Sequence, residues 1–331
     1  MKLFLLFALV AAPLAAQPHI GFVEIYGNRK VSKDKIQQVV GAKPGDPLPK
    51  SKGEVEDRLE GIGGILGARL EAYCCDEGKP ILYVGVLERG HPAFEFRVVP
   101  GDDVTLPEEI VSAYSDFTAA LNRAAANGDT KEDLSAGHSL MSDIACRVIQ
   151  ERFIGLAQLH EPKLRRVLND AADPAQRAIA AYVIGYVPDK YTVVNDLQQA
   201  LRDPDDAVRA NATRSLKAIS TLPAKAGQKA VLHSTWFVEM LNSVVLSDRI
   251  EGAQALLTAF DSTTDQTILQ IRERALDSLY EMARWRHLPH ALPAYLVLGK
   301  VAAIPDDEMQ RSWARGERDD MLKRIEKALK K

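Results

Sequence analysis

The stretch LRDPDDAVRANA, residues 201–212, decides how most of this chain folds. Its aspartates and proline predict a turn, because these residue types favour turns and helix starts over helix interiors. Val208, Ala212 and Leu216 then follow at four-residue spacing, which places them on one face of an α-helix. The stretch therefore predicts a turn that leads directly into an amphipathic helix.

The pattern of this helix recurs along the chain. Each copy has an arginine, a small residue three positions later and an apolar residue four positions beyond that. The copies are Gln176–Ile184, Val208–Leu216, Asp248–Leu256 and Ile271–Leu279. The small residues would let neighbouring helices approach, and the last apolar residues would fill the seams between layers. The copies begin 32, 40 and 23 residues apart, so the third and fourth units are predicted to be irregular.

This part of the chain resembles HEAT repeats of the short, phycobilisome-lyase-like kind. Residues 201–212 are the most specific piece of the resemblance. It implies an all-α solenoid over residues 106–331 whose surface binds proteins. It does not imply the lyase activity of some relatives, because many HEAT proteins are only scaffolds.

The arginines of the repeats have two interpretations. Arg177, Arg209 and Arg272 stand at equivalent positions of three units. They either line a basic groove for an acidic partner or form a ladder that joins successive units. In the second case the ladder would pair them with Asp173, Asp203 or Asp206.

Residues 17–90 show a different pattern. Val23 and Ile25 alternate with Glu24 and Tyr26, and near the end Leu82, Val84 and Val86 stand at every second position, which is the period of a β-strand. Two short helical patterns lie between these strands, the first of them behind Ser32, a good helix N-cap. The predicted order is β-α-α-β-β, and the fold class of the whole chain is α+β.

This N-terminal region resembles a POTRA domain. The resemblance lies in VEIYGN at residues 23–28, VSKDKI at 31–36 and KPGDPL at 43–48, with a closing strand that ends in Glu88. It implies a periplasmic module of outer-membrane assembly or secretion machinery that binds polypeptides. Members of the family usually carry several such units and a β-barrel. A single unit followed by helices puts membrane-protein insertion itself in doubt.

The resemblance also implies how a partner would bind. An extended peptide would add to the strand after the second helix, because the edge of a sheet offers unpaired N–H and C=O groups. That strand contains Arg69, Glu71 and Tyr73, which we predict as partner-binding residues. Alternation predicts that Leu70, Ala72 and Cys74 face the core.

The first residues predict export. Residues 1–16 comprise Lys2, an apolar run and small residues at its end, as in a cleavable signal peptide. The alternative is a membrane anchor, although the run is shorter than the roughly 20 residues that a spanning helix needs. The predicted organisation is therefore a signal peptide at 1–16, a POTRA-like domain at 17–90, a linker at 91–105 and a helical domain at 106–331. The predicted location is the periplasm or cell envelope.

Composition excludes some classes of function. The chain has 331 residues and a formal net charge of −3, so nothing indicates a nucleic-acid partner. No phosphate-binding glycine loop or catalytic motif is evident, which predicts no cofactor, no small-molecule substrate and no enzymatic activity. The expected partners are proteins, including components of outer-membrane or envelope complexes.

One polar cluster leaves an alternative open. The loop from Asp129 to His138 contains carboxylates, serine and histidine, which are residues of metal sites and of hydrolases. Its other interpretation is a loop between helices with capping residues. A bond between the adjacent Cys74 and Cys75 would strain the backbone, because alternation points neighbours to opposite faces of a strand, and which of Cys74, Cys75 and Cys146 form disulfides is left open.

Overall fold

The structure is a computed structural model, and it describes residues 18–223, 232–259 and 265–330. The predicted signal peptide lies outside the described residues. The described residues fall into two units, one that ends at Val86 and one that begins at Leu87. The finer domain limits, at residues 90 and 105, stay predictions.

The first unit has the order β-α-α-β-β. Its elements are β1 Phe22–Tyr26, α1 Lys33–Val40, α2 Lys52–Glu60, β2 Ile65–Asp76 and β3 Lys79–Glu88.

The three strands form one sheet with β3 in the centre, between β1 and β2. β1 runs parallel to β3, with Phe22 opposite Ile81. The apolar stripes of the two helices pack on one face of this sheet, where Ile36 and Leu59 are fully buried. Ser32 caps α1 as predicted, by accepting a hydrogen bond from the Lys35 N–H.

Strand β2 differs from the prediction in its outer half. Leu70 is buried as expected, but Ala72 and Cys74 are exposed. The reason is length, since a nine-residue helix such as α2 spans only about 14 Å. The twelve residues of β2 span about 40 Å. The helices therefore cover only the inner half of β2, and the side chains beyond Leu70 are left uncovered.

The second unit is helical apart from one small hairpin. Its elements are α3 Glu108–Ala126, β4 Glu132–Asp133, β5 Leu140–Met141, α4 Ile144–Asp170, α5 Pro174–Val183, α6 Val194–Ala200, α7 Asp206–Ser220, α8 Thr235–Met240, α9 Leu246–Ala259, α10 Asp265–Arg274, α11 Leu276–Ala283, α12 Leu288–Val301, α13 Asp306–Ala314 and α14 Arg318–Leu329. Two short 3₁₀ turns, Ile184–Tyr186 and Lys190–Val193, connect α5 to α6.

The helices stack in sequence. Helix α4 packs on α5, α5 on α7, α7 on α9 and α9 on α12, while α6 packs on α7 and α8 on α9. A kink at His160, just before Pro162, divides α4 into two parts. The α+β fold class and the helical C-terminal region are confirmed. Among the described residues, no helix has both the length and the apolar composition to cross a membrane.

The predicted turns begin two of the stacked helices. Asp173 caps α5 through the Ala175 N–H, and Pro174 is its first residue. Asp205 caps α7 through the Val208 N–H. The small residues of the pattern lie where helices meet. A Cβ atom on Gly252 would come within 2.9 Å of the Phe237 carbonyl oxygen, so α9 can approach α8 only with glycine there.

The fourth repeat copy deviates from the other three, because it does not lie within one helix. Ala275 separates α10 from α11, so the segment Ile271–Leu279 is not a single helix. Arg272 therefore lies near the end of α10 and is exposed. The matching arginines of the first three copies are instead the fourth residues of α5, α7 and α9.

The segment predicted as a linker packs along the second unit. Phe94 is buried, and the Arg97 N–H donates to the Arg202 carbonyl oxygen at 2.7 Å. Further along, the Asp102 N–H donates to the Asp170 carbonyl oxygen at 2.9 Å. The segment thus follows the loops that precede α5 and α7.

Candidate functional site

A ladder of buried ion pairs joins the helix pairs of the second unit. Arg177 binds both carboxylate oxygens of Asp203 at 2.8 Å, and Arg209 binds both oxygens of Asp248 at 2.8 Å. Arg249 continues the series with Glu281 at 3.0 Å. We call these three pairs the ladder. The first two pairs are fork-like arginine–carboxylate contacts, which fix distance and orientation together.

Each ladder arginine also ties down the loop in front of its own helix. Arg177 donates to the carbonyl oxygens of Ala171 and Ala172. Arg209 donates in the same way to the carbonyl oxygens of Asp203 and Pro204. The ladder therefore holds successive helix pairs in one register, and its arginines are turned inward instead of facing an open groove.

The partners of the ladder arginines differ in part from the candidates given by the sequence. Asp203 pairs with Arg177, as one of those candidates, but Asp173 is occupied in capping α5. Arg209 pairs with Asp248, which was not a candidate. Arg272 lies apart from the ladder, and Arg249 occupies the third rung.

Asp203 is the most heavily bound carboxylate of the ladder. It is fully buried and accepts hydrogen bonds from Arg177, from the Asp205 N–H at 3.0 Å and from Arg97 at 3.1 Å. Burial alone would raise the pKa of Asp203, but the hydrogen bonds from Arg177, Asp205 and Arg97 outweigh burial and hold the pKa below its usual range. The charged form is therefore the one that the fold stabilises.

A pocket lies beside the ladder helices. It has a volume of about 230 Å³ and is formed by α3, the β4–β5 hairpin, α5, α7 and α9. Its aromatic side is made by Tyr114, Phe117 and Tyr182, whose rings pack with centroids 5.0 to 6.3 Å apart. Tyr114 and Phe117 belong to α3, and no motif in the sequence indicated that a pocket forms there.

Two ion pairs border the aromatic side of the pocket. Arg214 binds Glu132 of the hairpin at 2.9 Å, and its guanidinium lies 5.9 Å from the centre of the Tyr182 ring. Lys217 binds Glu251 at 3.0 Å. Both cations belong to α7, one helical turn apart, and both carboxylates come from other elements.

The loop from Asp129 to His138 forms one wall of this pocket. Its residues build the β4–β5 hairpin, in which Glu132 pairs with Met141 and Asp133 with Leu140. The Thr221 hydroxyl donates to the Leu134 carbonyl oxygen at 2.8 Å and fixes the hairpin to the end of α7.

The chemistry suggested for this loop lacks the required contacts. Within the described residues, no group of three or more histidine, cysteine, aspartate or glutamate side chains is arranged to hold a metal ion. Both ring nitrogens of His138 are buried without a side-chain partner, so neither is hydrogen-bonded to the hydroxyl of Ser135 or Ser139. Burial also lowers the pKa of His138 to about 4.

The predicted partner-binding residues lie along β2, which is an edge strand of the sheet. Arg69 and Tyr73 are exposed and Glu71 is half-buried. Arg69 lies 3.7 Å from Glu56 of α2.

Helix α2 already occupies the inner half of this edge. Glu56 accepts the Leu70 N–H at 2.7 Å, and Glu60 accepts the Ala68 N–H at 3.1 Å. Because N–H groups alternate in direction along a strand, the next outward donor is that of Ala72, whereas the Glu71 N–H points toward β3. An added strand would therefore have to pair with the outer half of β2.

Cys74 and Cys75 are bonded to each other, although alternation argues against such a bond. A disulfide joins Cys74 to Cys75, and the peptide bond between them is cis. The alternation rule assumes trans peptide bonds, so it does not apply to this pair. Cys146 is a buried free thiol, and burial raises its pKa to about 11, which makes it a poor nucleophile.

The family described as HEAT repeats matches residues 161–232. The match begins at the kink of α4 and includes α5, α6 and α7, with the Arg177–Asp203 rung of the ladder. This region therefore contains HEAT-like repeats, which generally mediate protein–protein interaction or scaffolding. No curated protein matches the chain. The POTRA resemblance of the first unit stays a prediction.

Proposed function

We propose that this chain is an exported, non-enzymatic scaffold of the cell envelope that binds protein partners through both of its units. The observation that carries the proposal is the HEAT-like region at residues 161–232, whose helix pairs are joined by the ladder. A rigid stack of helix pairs offers an extended surface at little cost in conformational entropy on binding.

The order of elements in the first unit supports a second binding surface. A POTRA-like unit would bind an extended segment of an envelope protein by adding a strand to the outer half of β2. The HEAT-like unit would hold a second partner or a second part of the same one. The protein would then be an accessory to outer-membrane protein assembly or secretion.

Crosslinking in cells tests the binding function. The tagged chain is crosslinked in growing cells and purified from the envelope fraction under denaturing conditions. We expect discrete adducts with a small set of envelope proteins. Recovery of the uncrosslinked chain alone, at a crosslinker dose that captures a known envelope complex, would contradict the proposal.

The proposed periplasmic location can be tested by cell fractionation. Cell fractionation should recover a soluble periplasmic protein whose first residue lies near Gln17, because the apolar run of residues 1–16 would be cleaved. N-terminal sequencing checks the cleavage site. A full-length chain that stays in the inner membrane after salt and alkali washes would refute the cleaved signal peptide.

Strand addition predicts a specific effect of proline at Ala72. Ala72→Pro removes the outward N–H of β2 but leaves the donors that face β3, so the sheet should tolerate it at this edge position. Loss of one main-chain hydrogen bond costs about 1 kcal/mol, or about five-fold in affinity. We therefore expect at least five-fold weaker binding of the crosslinked partner, measured by titration with the purified chain.

Two control variants separate loss of strand addition from loss of folding in that binding measurement. Ala72→Val keeps the donor and should bind like the wild type. Glu71→Pro removes a donor that faces β3 and should instead destabilise the first unit. If Ala72→Pro folds and binds as tightly as Ala72→Val, strand addition at β2 is excluded.

A further inference from the structure

We propose that the pocket between α3, the β4–β5 hairpin and α7 is an anchor site that receives one neutral aromatic side chain of a protein partner. This inference rests on the proposed function, in which the second unit binds proteins. It specifies where on the second unit the central contact with the partner lies and which kind of partner side chain makes that contact.

The dimensions of the pocket suit an aromatic ring. Its volume is about 230 Å³, whereas a cavity of about 150 Å³ holds benzene. An aromatic side chain therefore fits with room for the atoms that connect it to the partner. Tyr114, Phe117 and Tyr182 already pack at tilted or edge-to-face angles, and another ring would extend this cluster in the geometry that aromatic groups prefer.

The charges around the pocket favour a neutral occupant. Arg214 is neutralised by Glu132 at 2.9 Å, and Lys217 by Glu251 at 3.0 Å. A carboxylate in the pocket would approach these glutamates, and an ammonium or guanidinium would approach these cations. Either charge would have to break an existing ion pair, whereas a neutral ring breaks none and gains a cation–π contact with Arg214.

The walls of the pocket are held in place without a ligand. Asn211 of α7 donates to the Ala178 carbonyl oxygen of α5 at 2.9 Å, and it lies 3.4 Å from the Tyr114 hydroxyl of α3. The hairpin is fixed by Thr221, as described above. A pre-formed site of this kind loses little conformational entropy on binding, which is typical of the anchor positions of protein interfaces.

Peptide selection on the full chain tests the proposal. A display library of random 12-residue peptides is selected on the wild-type protein, with counter-selection on Ala210→Trp. Ala210 lines the pocket, so a tryptophan there would fill it. We expect the enriched peptides to share one phenylalanine, tyrosine or tryptophan, and to bind Ala210→Trp at least ten-fold more weakly than the wild type.

Matched variants separate filling of the pocket from loss of folding. Ala210→Ser should bind the selected peptides like the wild type. Thr118→Trp fills the pocket from the opposite wall and should also weaken binding at least ten-fold, with Thr118→Ser as its control. Thermal unfolding of each variant shows whether the fold is intact, and Thr118→Trp replaces Ala210→Trp in the comparison if Ala210→Trp does not fold.

Three results would overturn the proposal. These are no enrichment, enriched peptides without a shared aromatic residue, or equal binding to a folded filled-pocket variant. The in-cell crosslinking distinguishes this failure from failure of the proposed function. Adducts mapped to the helical unit that persist unchanged in the filled-pocket variant refute the anchor site alone, whereas a wild-type chain without adducts refutes the scaffold function.

Discussion

Replacing Asp203 by asparagine should lower the free energy of unfolding of the helical unit by about 3–5 kcal/mol, as expected when one partner of a buried ion pair is removed. Asp203 balances the charges of Arg177 and Arg97, both of which lie within 3.1 Å of it. Asparagine keeps the shape but directs an NH₂ group at guanidinium donors, and it leaves these cations without a counter-charge. Urea denaturation followed by the helical signal in circular dichroism measures the loss.

This loss should depend on pH. The pKa of Asp203 is lowered in the folded protein, so its stabilising contribution is present above the pKa of the unfolded carboxyl, about 3.9. The contribution is lost as the pH falls through the lower pKa of the folded state. The difference between the wild type and Asp203→Asn should therefore be full at pH 7 and should shrink below about pH 3.9.

A matched control uses an exposed aspartate in the same unit. Asp116 lies on the outer face of α3, and Asp116→Asn should change the free energy of unfolding by less than about 0.5 kcal/mol. If Asp203→Asn were as mild as this control at pH 7, the ladder would not hold the helix pairs together.

The second large effect on the free energy of unfolding is expected when Leu216 is replaced by alanine. This residue of α7 is fully buried, and α7 packs against both α5 and α9. Leu216→Ala removes a buried side chain from the seam between layers and should cost about 2–5 kcal/mol, depending on how far the neighbours close the cavity. The same urea denaturation measures this cost.

Leu269 provides the control for Leu216. It is 54% exposed on α10, so Leu269→Ala should change the free energy of unfolding by less than about 0.5 kcal/mol. A cost below that value for Leu216→Ala itself would mean that the repeat register is mistaken.

Local periodicity explains which parts of the fold could be predicted from the sequence. The alternation at Val23 and Ile25 and the helical spacing of Ala212 and Leu216 are signals carried by neighbouring residues. Both led to the correct type of element, and Ala212 and Leu216 are fully buried. Alternation failed at Ala72 and Cys74, where coverage depends on how far the helices reach, and at Tyr26, which is buried on the other face of the sheet from Ile25.

The long-range contacts could not be predicted in the same way. Arg209 and Asp248 are 39 residues apart, and their pairing depends on where α9 starts relative to α7. The pocket depends on α3 reaching α7, with Tyr114 and Asn211 separated by 97 residues. Arg272 matched the pattern locally, but the break at Ala275 removes it from the ladder. Such features follow from the stacking of elements, which no local period encodes.

The central claim, that the chain binds proteins at two defined surfaces, is tested most directly by a photo-crosslinking amino acid placed at single positions in cells. A leucine-sized aliphatic diazirine amino acid at Tyr73 probes the outer half of β2, and the same residue at Leu121 probes the pocket without filling it, while Leu159 and Leu269 serve as exposed controls. We predict discrete protein adducts at positions 73 and 121 that exceed those at both controls. Adducts at neither position above the control level would contradict the account.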